Sequence, residues 1–202
     1  MFALLEAAGW PIWPLVLASI IAVAIICERA WSLRGSTVAP PELLEQVVQE
    51  YRQNGANPQL LARLAHGAPL AQVFAAGLKN VKSTSQVMKE AIDETGRAVA
   101  HKLEFLLTTL GTIATISPLL GLLGTVIGMI EIFGSQTPSG SNPIVLAHGI
   151  SIALYNTAMG LIVAIPSMIF YRHYRNKVDS LVVEMESEAV KLVEILHGER
   201  LS

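Results

Sequence analysis

Residues 105–133 read FLLTTLGTIATISPLLGLLGTVIGMIEIF, an apolar run in which Glu104 stands just outside and Glu131 is the single charge within. Crossing about 30 Å of hydrocarbon takes about 20 apolar residues at about 1.5 Å each. The run is long enough to span a bilayer as a helix. Two further runs of the same kind flank it, 7–27 and 144–171. No segment of the chain alternates apolar and polar residues over a useful length, so the fold class is all-α.

The basic residues give an orientation. The chain carries 14 Lys and Arg. Nine fall from Arg29 to Lys102 and five from Arg172 to Arg200, whereas 1–10 and 134–143 hold none. Short segments rich in Lys and Arg stay cytoplasmic. The expected layout is a periplasmic N-terminus with the first span (1–31), a cytoplasmic helical segment (32–104), the second span (105–133), a periplasmic connector (134–143), the third span (144–171) and a cytoplasmic helical tail (172–202). Composition agrees with an integral membrane protein: 52% of residues are hydrophobic and 15% charged, against about a quarter charged in soluble domains. The mean hydropathy is +0.50. Cys27 is the one cysteine, which excludes an intrachain disulfide. A cleaved signal peptide has basic residues before its apolar core; here Glu6 precedes the core and Arg29 follows it, so the first run reads as a retained anchor. Trp10, Trp13 and Trp31 flank it as interfacial residues.

Between the first and second spans the punctuation is helical. Pro40-Pro41-Glu42 opens a run carrying Leu43, Leu44, Val47, Val48 and Tyr51, and Asn54-Gly55 closes it. Asn57-Pro58 supplies an N-cap and a first-turn proline ahead of Leu60, Leu61 and Leu64, with His66-Gly67 as the stop. A third short helix carries Leu70, Val73, Phe74 and Leu78. Ser83 and Gln86 have capping-box spacing, and the helix they open is expected from about 86 to about 132, roughly 70 Å at about 1.5 Å per residue. The third span continues likewise into the tail through Val178, Val182, Met185, Ala189, Val193 and Leu196. Two of the three transmembrane helices therefore extend far into the cytoplasm.

The second and third spans are polar in a way the first is not. Thr108, Thr112 and Thr115 share one helical face, followed by Ser117-Pro118, Gly121, Gly124, Thr125 and Gly128. The third span carries Ser151, Tyr155, Asn156 and Thr157, with Gly149, Ala153, Gly160 and Ala164 as small residues. Gly124-x-x-x-Gly128 and Gly160-x-x-x-Ala164 allow close backbone approach where lipid is as apolar as Leu. These two helices are expected to face protein, and the first to face lipid. Pro118 and Pro166 each remove a backbone hydrogen bond and are expected to bend their helices.

The run from Leu110 to Met129, LGTIATISPLLGLLGTVIGM, resembles the second-span motif of the MotA/TolQ/ExbB proton-channel family, and the run from Gly149 to Pro166, GISIALYNTAMGLIVAIP, is similar to its third-span motif. Topology and the distance between the motifs agree, and the likeness falls in the ExbB/TolQ branch, since the flagellar branch has four spans and a larger cytoplasmic part. The resemblance implies a stator-like subunit of an inner-membrane, ion-driven motor, with no enzymatic activity and no cofactor. It implies a homopentamer around a dimer of a single-span ExbD/TolR-like partner whose membrane carboxylate carries the ion, and work passed on through a TonB- or TolA-like envelope-spanning protein. It also places Thr125 and Thr157 on the pore. One position departs: ExbB and TolQ usually have a glutamate five positions before the third-span threonine, where this chain has Ile152. His148 replaces the usual proline before Gly149-Ile150, and Tyr155-Asn156 the usual apolar pair. Ion transfer would then rest on hydroxyls and amides lining the path of the partner's carboxylate.

Each polar residue has a plainer alternative. A buried threonine can simply bond the carbonyl four residues back. Asn156 in hydrocarbon needs a partner, which either an ion path or an interhelical hydrogen bond provides. Ser151, Tyr155 and Thr115 are further lining candidates, while Thr108 and Thr112 read as packing residues. Glu131 and His148 read as interfacial, although an outer gate and a proton shuttle are the sharper readings. No phosphate loop, metal-spaced His/Cys cluster, nucleophile–base arrangement or basic nucleic-acid patch occurs. Two functions remain: an ion-conducting motor subunit, and a non-conducting scaffold that assembles and stabilises the single-span partner.

Overall fold

The computed structural model describes residues 10–134 and 143–197, with backbone only for 143–146, 148 and 152. Among the described residues there are seven helices and no strand: α1 (Ile12–Ser32), α2 (Gly35–Val38), α3 (Leu43–Asn54), α4 (Pro58–Ala65), α5 (Pro69–Lys79), α6 (Ser85–Gly134) and α7 (Pro143–Leu196). Three of them, α1, α6 and α7, are long and apolar enough to cross a membrane. At about 1.5 Å per residue the 50 residues of α6 and the 54 of α7 are far longer than one crossing needs.

The chain divides into two compact units, one drawn from 1–28 and 106–173, the other from 29–105 and 174–202. In the first, α1 buries a stripe of Ile12, Leu15, Ala22 and Ile25 and exposes Trp13, Leu17, Ile20 and Val23. Spacings near three and four put each set on one side of a helix. On α6 the outward face runs through Thr108, Thr112, Thr115, Leu119, Leu122, Val126 and Ile130. The inward face runs through Leu107, Leu110, Ala114, Ser117, Gly121 and Gly124. Gly111 lies against the Tyr171 ring, with an added Cβ 3.0 Å from its edge. Both prolines sit inside continuous helices. A buried serine stands beside each: Ser117 Oγ donates to the Ile113 carbonyl and Ser167 Oγ to the Val163 carbonyl, both at 2.7 Å.

The second unit has a soluble-type core around Phe74, Leu78, Met88, Val178, Leu181 and Leu192, all essentially sealed. Its short helices end for local reasons. Gly55 closes α3 at φ 64°, where a side chain would be strained, and its N–H reaches the Tyr51 carbonyl at 2.8 Å. Asn57 caps α4, its Oδ1 accepting from Leu60 N at 2.7 Å with Pro58 next. The expected cap of α6 is displaced by one residue. Thr84, not Ser83, offers its hydroxyl to the first turn, to Val87 N at 3.5 Å, because Ser83 N–H is turned back to the Asn80 carbonyl. Gln86 donates forward to Glu90 instead of closing a box.

Close contacts knit this unit. A Cβ on Gly77 of α5 would lie 3.0 Å from Ile92 Cδ1 and 3.2 Å from Met88 Cε of α6. Arg29, at the end of α1, is buried and donates from Nη1 to the Leu103 carbonyl of α6 at 3.1 Å. Arg175 of α7 pairs with Glu104 of α6 at 3.4 Å. On the exposed side of α6, a hydrogen bond from Arg97 holds the Asp93 carboxyl below the usual carboxylate range.

Candidate functional site: the α6–α7 seam

In the first unit α6 and α7 meet along small residues. A Cβ placed on Gly121 would lie 2.7 Å from the Asn156 carbonyl oxygen and 3.0 Å from Thr157 Cα. On Gly160 it would lie 2.6 Å from the Ser117 carbonyl oxygen. Carbon atoms do not approach backbone oxygens so closely, so only glycine fits at either position. Gly124 is seated against Asn156, with an added Cβ 2.9 Å from its Cβ and 3.1 Å from Nδ2. Gly128 is looser, 3.5 Å from Ala153 Cβ. Gly149 lies under Ile132, whose side chain would have to shift to admit a methyl there. The glycine face of the second span is thus occupied by the third span of the same chain.

Close approach brings three polar side chains together. Thr125 Oγ1 lies 3.3 Å from Thr157 Oγ1. Both hydroxyls also reach the Gly121 carbonyl, each at 3.4 Å, and Thr125 Oγ1 donates to the Leu122 carbonyl at 2.6 Å. Asn156, 2% exposed, fills the adjacent turn against Gly124. A carbonyl shared by two hydroxyls one helix apart is a small polar island in an apolar interior. Such a group can orient dipoles and solvate a passing charge. It cannot itself take up a proton at neutral pH, because neither a hydroxyl nor an amide titrates there.

The other candidates lie elsewhere. Thr115 is exposed and bonds back to the Gly111 and Thr112 carbonyls at 3.1 and 3.0 Å. Thr112 does the same to Thr108 at 2.9 Å. Ser151 is exposed and bonds back to the Ala147 carbonyl at 2.9 Å, and Tyr155 is 44% exposed on the same face of α7. Glu131 is exposed near the end of α6. His148 and Ile152 lie within α7, their side chains outside the described residues. Sequence reasoning missed Ser167 and the buried Arg29. A serine beside a span proline was the available signal for the first; a basic residue at the end of an apolar run gives none for the second. Among the described residues no group of three His, Cys, Asp or Glu is placed to hold a metal.

Residues 65–187, which include the whole seam, match the model of the MotA/TolQ/ExbB proton channel family. The chain belongs to this family. Relatives place it in the ExbB/TolQ branch. It is 34% identical over 168 residues to an ExbB-like biopolymer transport protein of Synechocystis, covering 81% of this chain and 79% of that one. To the biopolymer transport protein ExbB1 of Vibrio cholerae it is 34% identical over 167 residues, covering 79% and 72%. To the Tol-Pal system protein TolQ of Pseudomonas aeruginosa it is 31% identical over 201 residues, covering 91% and 84%. As an ExbB/TolQ-branch member, the chain is a membrane component of the biopolymer-transport or Tol-Pal kind.

Proposed function

We propose that this chain is the ion-conducting stator subunit of a motor in a bacterial inner membrane, with its N-terminus periplasmic and its C-terminus cytoplasmic. It assembles as a homo-oligomer, a pentamer on the family resemblance, around a dimer of an ExbD/TolR-like single-span protein. The motor draws on an ion motive force, protons in preference to sodium, and passes work to a TonB- or TolA-like protein. The observation that carries the reading is the Thr125–Thr157 hydroxyl pair at 3.3 Å beside buried Asn156. Neither 111–128 nor 149–164 contains an Asp, Glu, Lys, Arg or His. On this reading the proton is carried by the partner's carboxylate, and the seam lowers the cost of bringing that charge into a low-dielectric interior.

Thr157→Val tests this, since it removes a hydroxyl while nearly preserving volume. In cells that depend on the motor, ion-driven activity should fall several-fold or more while the amount of assembled complex is unchanged. The scaffold reading has its own support, because each seam hydroxyl already bonds a backbone carbonyl. Undiminished activity in Thr157→Val would favour it.

A further inference from the structure

The second unit carries a groove of about 380 Å³ that the proposed ion path does not use. Gly96, Ala100 and Ala189 are among the small residues lining it, Ile92 and Val190 are among its apolar walls, and Lys89 stands on its lip. Gly96 is the unexplained residue. Glycine is a poor helix former, its backbone here has no positive φ, and nothing lies within 4 Å of the place where its Cβ would be. No contact among the described residues calls for glycine there, in a stretch outside the apolar run. A close approach from another molecule does.

We propose that this groove receives α6 of a neighbouring copy of the same chain, through the face carrying Val87, Ala91, Glu94 and Ala98. The inference rests on the oligomer named under the proposed function. At 3.6 residues per turn, Val87 and Ala98 lie about 180° and about 200° round the helix from Gly96. Val87 is 44% exposed and Ala98 is exposed. One helix thus presents a groove on one side and, on the other, a face of mostly small residues that also carries Glu94, the arrangement that builds a ring by heterologous contacts. Charge agrees with it. Copies related by rotation about the bilayer normal hold each residue at one height. Lys89 on the lip therefore meets Glu90 of the neighbour within about 1.5 Å of its own level, and Arg97 meets Glu94 within about 4.5 Å. Glu186 marks the other lip, and Asp93 is bonded to Arg97 of its own chain.

The test uses the full chain with its partner, in a Cys27→Ser background. Gly96→Cys with Ala98→Cys should give an oxidised ladder of dimers and higher species on denaturing gels, and either single variant should give at least ten-fold less. Charge reversal gives an independent reading. Lys89→Glu and Glu90→Lys should each reduce the oligomer several-fold in native mass spectrometry, and the pair together should restore it. Adjacent residues of one helix do not face each other, so rescue within a single chain is not available. Oligomers that form normally without the ladder or the rescue would overturn the groove contact and leave the ion path untouched. Coupling of Gly96→Cys to the single-span partner instead of to a copy would also overturn it.

Discussion

Gly160 and Gly128 look alike in sequence, and the structure separates them. An added methyl at 160 falls 2.6 Å from a backbone oxygen, whereas at 128 it makes an ordinary 3.5 Å contact. Gly160→Ala should destabilise the chain by about 1–3 kcal/mol through overpacking, and Gly128→Ala should be close to neutral. Thermal unfolding in detergent checks the pair, and equal melting temperatures would contradict the seam. The small residues were legible from spacing, but their partner was not. Spacing shows that a face is narrow, and it does not say whether the chain itself or a second copy fills it. The same ambiguity covers Thr115, Ser151 and Tyr155. They are polar residues within the spans, yet they turn outward, two of them with hydroxyls satisfied by their own helix. Ile152 carries a separate expectation. If the ion path runs without the acid usual in the branch, Ile152→Glu should shift or suppress the pH dependence of ion-driven activity; an unchanged profile would show that the position does not face the path.

At the scale of elements, the long helices were readable because nothing breaks them. The expected 86–132 differs from Ser85–Gly134 by one or two residues at each end. The short helices were readable where a single residue decides the boundary. Asn57 is such a residue, and Asn57→Ala should cost about 1 kcal/mol by leaving the Leu60 N–H without its acceptor. Denaturant titration followed by circular dichroism measures it. The four residues of α2 and the Thr84 cap escaped notice. A single turn such as α2 has no apolar repeat to show, and Ser83 and Thr84 are equal candidates for a cap by residue type. Arg29 is a stronger case. A basic residue ending an apolar run reads as a positive-inside charge, while the structure buries it on the Leu103 carbonyl.

For the whole molecule, the proposed orientation of the spans rests on the uneven placement of 14 basic residues. Cysteines placed at Ser139 or Ser141 should react with an impermeant thiol reagent added outside intact cells, and one at Ser180 should not, in a Cys27→Ser background. Labelling at Ser180 would invert the orientation. The central claim is that Thr125, Asn156 and Thr157 together let a partner's carboxylate cross the seam. Proton flux through the reconstituted complex of this chain and its single-span partner, driven by an imposed potential in liposomes, tests it most directly. With Thr125→Val, Asn156→Leu and Thr157→Val combined, flux should fall at least ten-fold while native mass spectrometry finds the complex intact. Flux equal to that of the unaltered complex would contradict the account.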